Sequence, residues 1–150
     1  MHARYRSGYL SRQRTRPLQL RKISLDRTKG AIVMTQEIVE VRDYTIDPEW
    51  LEPYRQWATE VAVPWLRAHL DLVDFWMDGG FDAEMSGSNP APPVNGQPNV
   101  CWIIRWPSKA VRDEQFGTIM SQPEWREIWA KHPNSNAYLQ MNVRFMQRID

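Results

Sequence analysis

Glu37-Ile38-Val39-Glu40-Val41-Arg42-Asp43-Tyr44-Thr45-Ile46, running into Asp47-Pro48-Glu49, is the stretch whose reading decides the fold. It is rich in β-branched residues and it alternates, the pattern of a strand with two unlike faces. Val39 and Val41 share one face, and Glu40, Arg42 and Tyr44 share the other. Asp47-Pro48-Glu49 then supplies a helix start: an acceptor side chain at the cap, a proline in the first turn, and an acid beside it.

Downstream, Trp50, Tyr54, Trp57, Val61 and Trp65 fall three or four residues apart, with Leu51, Ala58, Ala62 and Leu66 beside them. That spacing makes one broad apolar helix face to lie on a sheet, with a kink expected at Pro64. Leu72 to Asp78 reads as a second strand stopped by Gly79-Gly80, and Asn99 to Trp106 as a third. In the third strand Val100, Trp102, Ile104 and Trp106 share one face, and Cys101, Ile103 and Arg105 the other. Between these strands lie about twenty residues, Gly79 to Pro98, with four glycines and four prolines, a composition that favours a long mobile loop. Ser108 caps a second helical region carrying Val111, Gln115, Phe116, Ile119 and Met120 on its apolar side. Pro123-Glu124-Trp125 then restarts a short helix with Ile128 and Trp129. The turn His132-Pro133-Asn134-Ser135-Asn136 leads into a last strand from Tyr138 to about Arg148. The order β-α-β-β-α-β is the ferredoxin-like arrangement of the α+β class: a four-stranded antiparallel sheet with the helices on one face.

Length and composition agree with one domain. The chain has 150 residues, 42% hydrophobic and 25% charged, enough for one sizeable core. No run approaches the roughly 18 to 20 apolar residues of a membrane span, and the N-terminus lacks the apolar segment of a secretory signal, so a soluble protein is expected. One cysteine, Cys101, excludes an internal disulfide framework.

The net charge of +1 hides an asymmetry. Residues 1–33 hold nine Arg and Lys side chains against Asp26 alone, a net +8, and the remainder carries −7. Like-charge repulsion and Pro17 predict a basic, disordered extension over 1–33, with the working domain spanning 34–150. Three readings of the extension compete: a segment upstream of a domain that properly starts at Met34, an Arg-rich organelle-targeting sequence, or a phosphate-attracting arm. The first is favoured and implies a cytoplasmic protein; the second implies a mitochondrion-like destination. No RNA-recognition signature accompanies the basic residues, so no specific nucleic-acid partner is expected.

A sheet covered by helices on one side must place the apolar residues of its other side against water, a ligand or another subunit. A homodimer packing two sheets face to face solves this and leaves a cavity between sheet and helices.

Several segments resemble a known family in the same order. Ile38 to Ile46 is similar to the Glu-x-Arg-x-Tyr first strand of NIPSNAP domains. Trp57, Pro64-Trp65-Leu66, Phe75-Trp76, Cys101 to Trp106 and Pro123-Glu124-Trp125 resemble later positions, and the likeness covers nearly all of 34–150. The resemblance implies a dimeric α+β barrel, a superfamily that includes cofactor-free oxygenases, haem-handling proteins and isomerases. The Gly79 to Pro98 insertion departs from that pattern.

Glu40, Arg42 and Tyr44, at alternate positions of one strand face, are the first candidate catalytic set. Arg42 would hold an anionic or carbonyl group, Tyr44 would donate a hydrogen bond, and Glu40 would be a base or the partner that orients Arg42. The same three also suit a buried structural ion pair. His69 is a candidate general base or axial haem ligand, against a plainer role capping its helix. Trp76, Trp102 and Trp106 are the candidate pocket for an apolar or aromatic small molecule, against a reading as core and interface. No cofactor is called for, haem being the one to consider, and no metal site is expected because no histidine has a ligand partner at metal spacing. The expected function is a homodimeric small-molecule-binding protein; were it an enzyme, a cofactor-free oxygenase or isomerase acting on an apolar ring compound would suit the pocket best. The alternative is a non-catalytic protein that recruits partners through its dimer surface and basic extension.

Overall fold

The computed structural model describes residues 36–149; the expected basic extension over 1–33 lies outside them. The elements run β1 (Ile38–Ile46), α1 (Leu51–Trp57), α2 (Val63–His69), β2 (Leu72–Met77), β3 (Val100–Trp106), α3 (Lys109–Met120), α4 (Pro123–Trp129) and β4 (Tyr138–Gln147). All pairings are antiparallel and the sheet order is β2-β3-β1-β4, as the β-α-β-β-α-β reading requires. The starts of the two helical regions follow their sequence signals. Asp47 accepts from the Glu49 N–H, and Ser108 accepts from the Val111 N–H at 3.2 Å.

The expected kink takes another form. Between α1 and α2 the chain makes one wide turn, Ala58–Ala62, closed by the Val63 N–H donating to the Ala58 carbonyl five residues back. Pro64 follows at once in α2 and has no N–H to offer to a carbonyl of that turn.

The register of β1 with β3 pairs Ile38 with Trp106, Glu40 with Ile104, Arg42 with Trp102, and Tyr44 with Val100. One continuous face therefore carries all of these side chains, and the helices pack on that face. Ile38, Tyr44, Ile46, Val100, Trp102, Ile104 and Trp106 form the core with Tyr54, Trp57, Trp65 and Leu66. Burying each large apolar side chain stabilises the fold by about 1.5–3 kcal/mol. The indole of Trp57 ties the two helical regions together by donating to the Ile128 carbonyl at 3.0 Å.

Two irregularities decide which side chains of the edge strands face the helices. In β2 one extra residue sits between Leu72, opposite Ile104, and Asp74, opposite Ile103. In β4, Gln140 faces Thr45 but Tyr138 faces Ile46, so Leu139 is extra. Each bulge reverses the alternation beyond it.

Candidate functional site

A cavity of about 430 Å³ opens between the sheet and the helices. Its floor is Arg42, Tyr44, Phe75 and Trp102 from the sheet, and Tyr54, Trp57 and Leu66 supply one wall. Phe116, Met120, Trp125 and Trp129 form the opposite wall, with Tyr138 and Met141 of β4 at the side. The lining is mostly aromatic, and among the described residues its charged members are two cations, Arg42 and Arg126.

Arg42 is held from several directions. Its Nε donates to Glu40 Oε1 at 2.8 Å, Nη2 lies 2.7 Å from the same oxygen, and Nη1 donates to the Tyr44 hydroxyl at 2.8 Å. Its guanidinium carbon stands 4.9 Å from the Trp102 ring and 4.3 Å from Phe116. Glu40, 0% exposed, is saturated with donors. Besides Arg42 it accepts from Arg112 Nη2 at 2.8 Å, from Arg112 Nε at 2.9 Å, and from the Trp106 indole at 3.0 Å. Burial alone would raise the Glu40 carboxyl, but the Arg112 hydrogen bond, with the charge and bond of Arg42, holds it below the ordinary carboxylate range. A carboxylate so engaged is a poor base. Of the two roles open to Glu40, the geometry fits the partner that orients Arg42.

The other candidates separate. Trp102 lines the cavity, while Trp106 lies on the same face but is buried beside Glu40. Trp76 is not a cavity residue: it faces the far side of the sheet opposite Cys101 and is 44% exposed. The β2 bulge is the reason, because strict alternation from Leu72 would turn Trp76 inward and Phe75 outward. His69 is also outside. It stacks on Trp65 at 4.1 Å and its Nδ1–H donates to the Trp65 carbonyl at 2.8 Å, a contact that suits the helix-end role. Both ring nitrogens of His132 are engaged, Nε2 with the Tyr138 hydroxyl and Nδ1 with the Asn134 N–H.

Several site residues escaped the sequence reading. Arg112 shares a helical stripe with Phe116, four residues on, and that placement of a cation on an apolar face was the available clue. Arg126, an exposed residue of α4, also lines the cavity. His132, read as a turn residue, is packed among Tyr54, Trp57, Trp129 and Tyr138, and its Nε2 lies 2.9 Å from the Tyr138 hydroxyl. Burial lowers its pKa, so it is held neutral.

The same architecture occurs in known structures. A NIPSNAP-like domain protein from Burkholderia xenovorans superposes with TM-score 0.58 at 16% identity, covering 77% of this chain and 87% of its own. The fold is that of the NIPSNAP domain. A NIPSNAP family protein from Agrobacterium tumefaciens strain C58 matches at 17% identity over 77% of this chain and 88% of its own, also with TM-score 0.58. A second from the same strain, described as of unknown function, matches at 15% over 76% and 89%, with TM-score 0.56. No family model and no curated relative matches the sequence. The NIPSNAP-like sheet and helices thus enclose the cavity in this chain, and no helix among the described residues is long and apolar enough to cross a membrane.

Proposed function

We propose that the protein binds a flat apolar or aromatic small molecule in this cavity, with an oxygen-bearing end against Arg42 and Tyr44. One observation carries the reading: a ligand-sized, aromatic-lined hollow whose charged lining groups, among the described residues, are arginines. Arg42 needs no reorganisation to meet an anionic or carbonyl oxygen, because Glu40 and Tyr44 already fix its plane. If turnover occurs, cofactor-free oxygenation or isomerisation of a ring compound suits such a pocket. Glu40 is saturated with donors and His69 is not among the cavity-lining residues, so neither is placed to carry a proton to a ligand there.

Assembly as a homodimer through the outer sheet face belongs to the same proposal. That face exposes Trp76, Val73 and Met146 beside Ile103, an apolar set that a second sheet would cover. The same face supports the second reading, a non-catalytic protein that recruits partners there.

Native mass spectrometry of the full chain, purified without added ligand, tests both parts. A dimer carrying a defined extra mass, lost in Arg42→Ala and Tyr44→Phe variants that stay dimeric, is the expected result. Variants that dissociate or unfold would instead assign these residues a structural role, and a monomer would remove the dimer proposal.

A further inference from the structure

Tyr138 carries no signal of its own in the sequence, yet the β4 bulge at Leu139 turns it into the cavity. Its hydroxyl belongs to a chain of hydrogen bonds whose direction can be worked out. The Asn134 backbone N–H donates to His132 Nδ1 at 3.2 Å, so that nitrogen carries a lone pair. The proton of the neutral ring therefore sits on Nε2, which donates to the Tyr138 oxygen at 2.9 Å. The Tyr54 ring, 3% exposed, stands edge to face against the Tyr138 ring at 6.0 Å. Because the Tyr138 oxygen accepts from His132, the Tyr138 hydrogen is left over.

Tyr44 repeats the pattern across the cavity floor. Its oxygen accepts from Arg42, so its own hydrogen is also uncommitted. The Tyr44 and Tyr138 rings stand 5.6 Å apart, edge to face, and both residues line the cavity. Two O–H donors, each backed by an N–H donor and set among aromatic side chains, make a receptor for an oxygen that bears negative charge.

We propose that Tyr44 and Tyr138 together bind a single phenolate or enolate oxygen of the ligand, so that the cavity selects aromatic compounds carrying an acidic hydroxyl over the same rings without one. This rests on the small-molecule reading of the cavity and names the ligand class. His132 is a positioning residue, acting through Tyr138.

Calorimetric titration of the full chain with 4-nitrophenol and with 4-nitrotoluene tests it, and the absorption of bound nitrophenolate gives a second readout. Roughly tenfold tighter binding of the phenol is expected. Tyr138→Phe should erase most of that preference and shift the bound phenolate band. His132→Gln should reduce the preference in part. Equal affinity for the two probes, or a preference that survives Tyr138→Phe, overturns the proposal and leaves the pocket standing. Loss of both probes in Tyr138→Phe also overturns it, by making Tyr138 a scaffold of the cavity. Failure of both probes to bind the unaltered protein defeats the pocket reading itself.

Discussion

Arg112 reaches from α3 to Glu40 on β1 and engages both carboxylate oxygens, Nη2 to Oε1 at 2.8 Å and Nε to Oε2 at 2.9 Å. Seventy-two positions of sequence separate them. The contact pins the second helical region to the centre of the sheet, and it leaves Arg42 as the second cation on one buried anion. That second cation lines the cavity.

Removing the shared anion is therefore expected to hurt more than removing one cation. Glu40→Ala strands two arginines and should cost about 3–5 kcal/mol. Arg112→Ala leaves Glu40 with Arg42 and the Trp106 indole, and should cost about 1–3 kcal/mol. Urea unfolding of both variants checks the order, and equal costs would contradict it.

Trp102 and Trp76 sit on opposite faces and should respond differently. Trp102→Ala opens the floor of the cavity, with an expected loss of about 3–5 kcal/mol and of ligand retention. Trp76→Glu should leave ligand retention as it is and shift the subunit number downward in size-exclusion chromatography. A Trp76→Glu variant that loses ligand first would put that residue back into the pocket.

Acid should loosen the His132 corner before it touches Glu40. Burial sets the His132 pKa below its ordinary 6.5, so the unfolded chain takes up a proton there before the folded one does. Stability is therefore full above about pH 6.5 and falls as pH drops toward the folded value. Glu40 has the same sign in a lower window: its contribution is present above the ordinary 4.5 and is lost as pH falls through its depressed value. Thermal midpoints measured from pH 7.5 to 5 should decline in the unaltered protein and stay flatter in His132→Gln.

Cys101, on the outer face beside Asp43, should be a sluggish thiol. Burial, with the hydrogen bond and charge of Asp43, pushes its pKa up to about 11 from 9.0. At pH 8 the folded thiol should react with iodoacetamide about 100-fold more slowly than the unfolded one, in proportion to its thiolate fraction. Comparable rates in buffer and in urea would refute this.

The strands, helices and ferredoxin-like order were legible because they follow from local patterns. Period-two alternation marked Ile38–Ile46 and Val100–Trp106, and Asp47 and Ser108 marked the helix starts. Half of the site was legible for the same reason. Arg42, Tyr44 and Trp102 sit on unbroken strands, where alternation decides the face. Arg112 and His132 were not visible because their roles come from partners on other elements: Glu40 for one, Tyr138 and an aromatic cluster for the other.

The sequence by itself determined the class of the fold, the order of its elements and the shared face of Glu40, Arg42 and Tyr44, because periodicity and capping act within a few residues. Only the tertiary structure decided which aromatics enter the cavity. A bulge adds one residue at Val73 in β2 and another at Leu139 in β4, turning Phe75 and Tyr138 inward and Trp76 outward. Such a slip of one position exchanges the two faces of a strand, and what settles it is packing across strands rather than the residues of the strand itself.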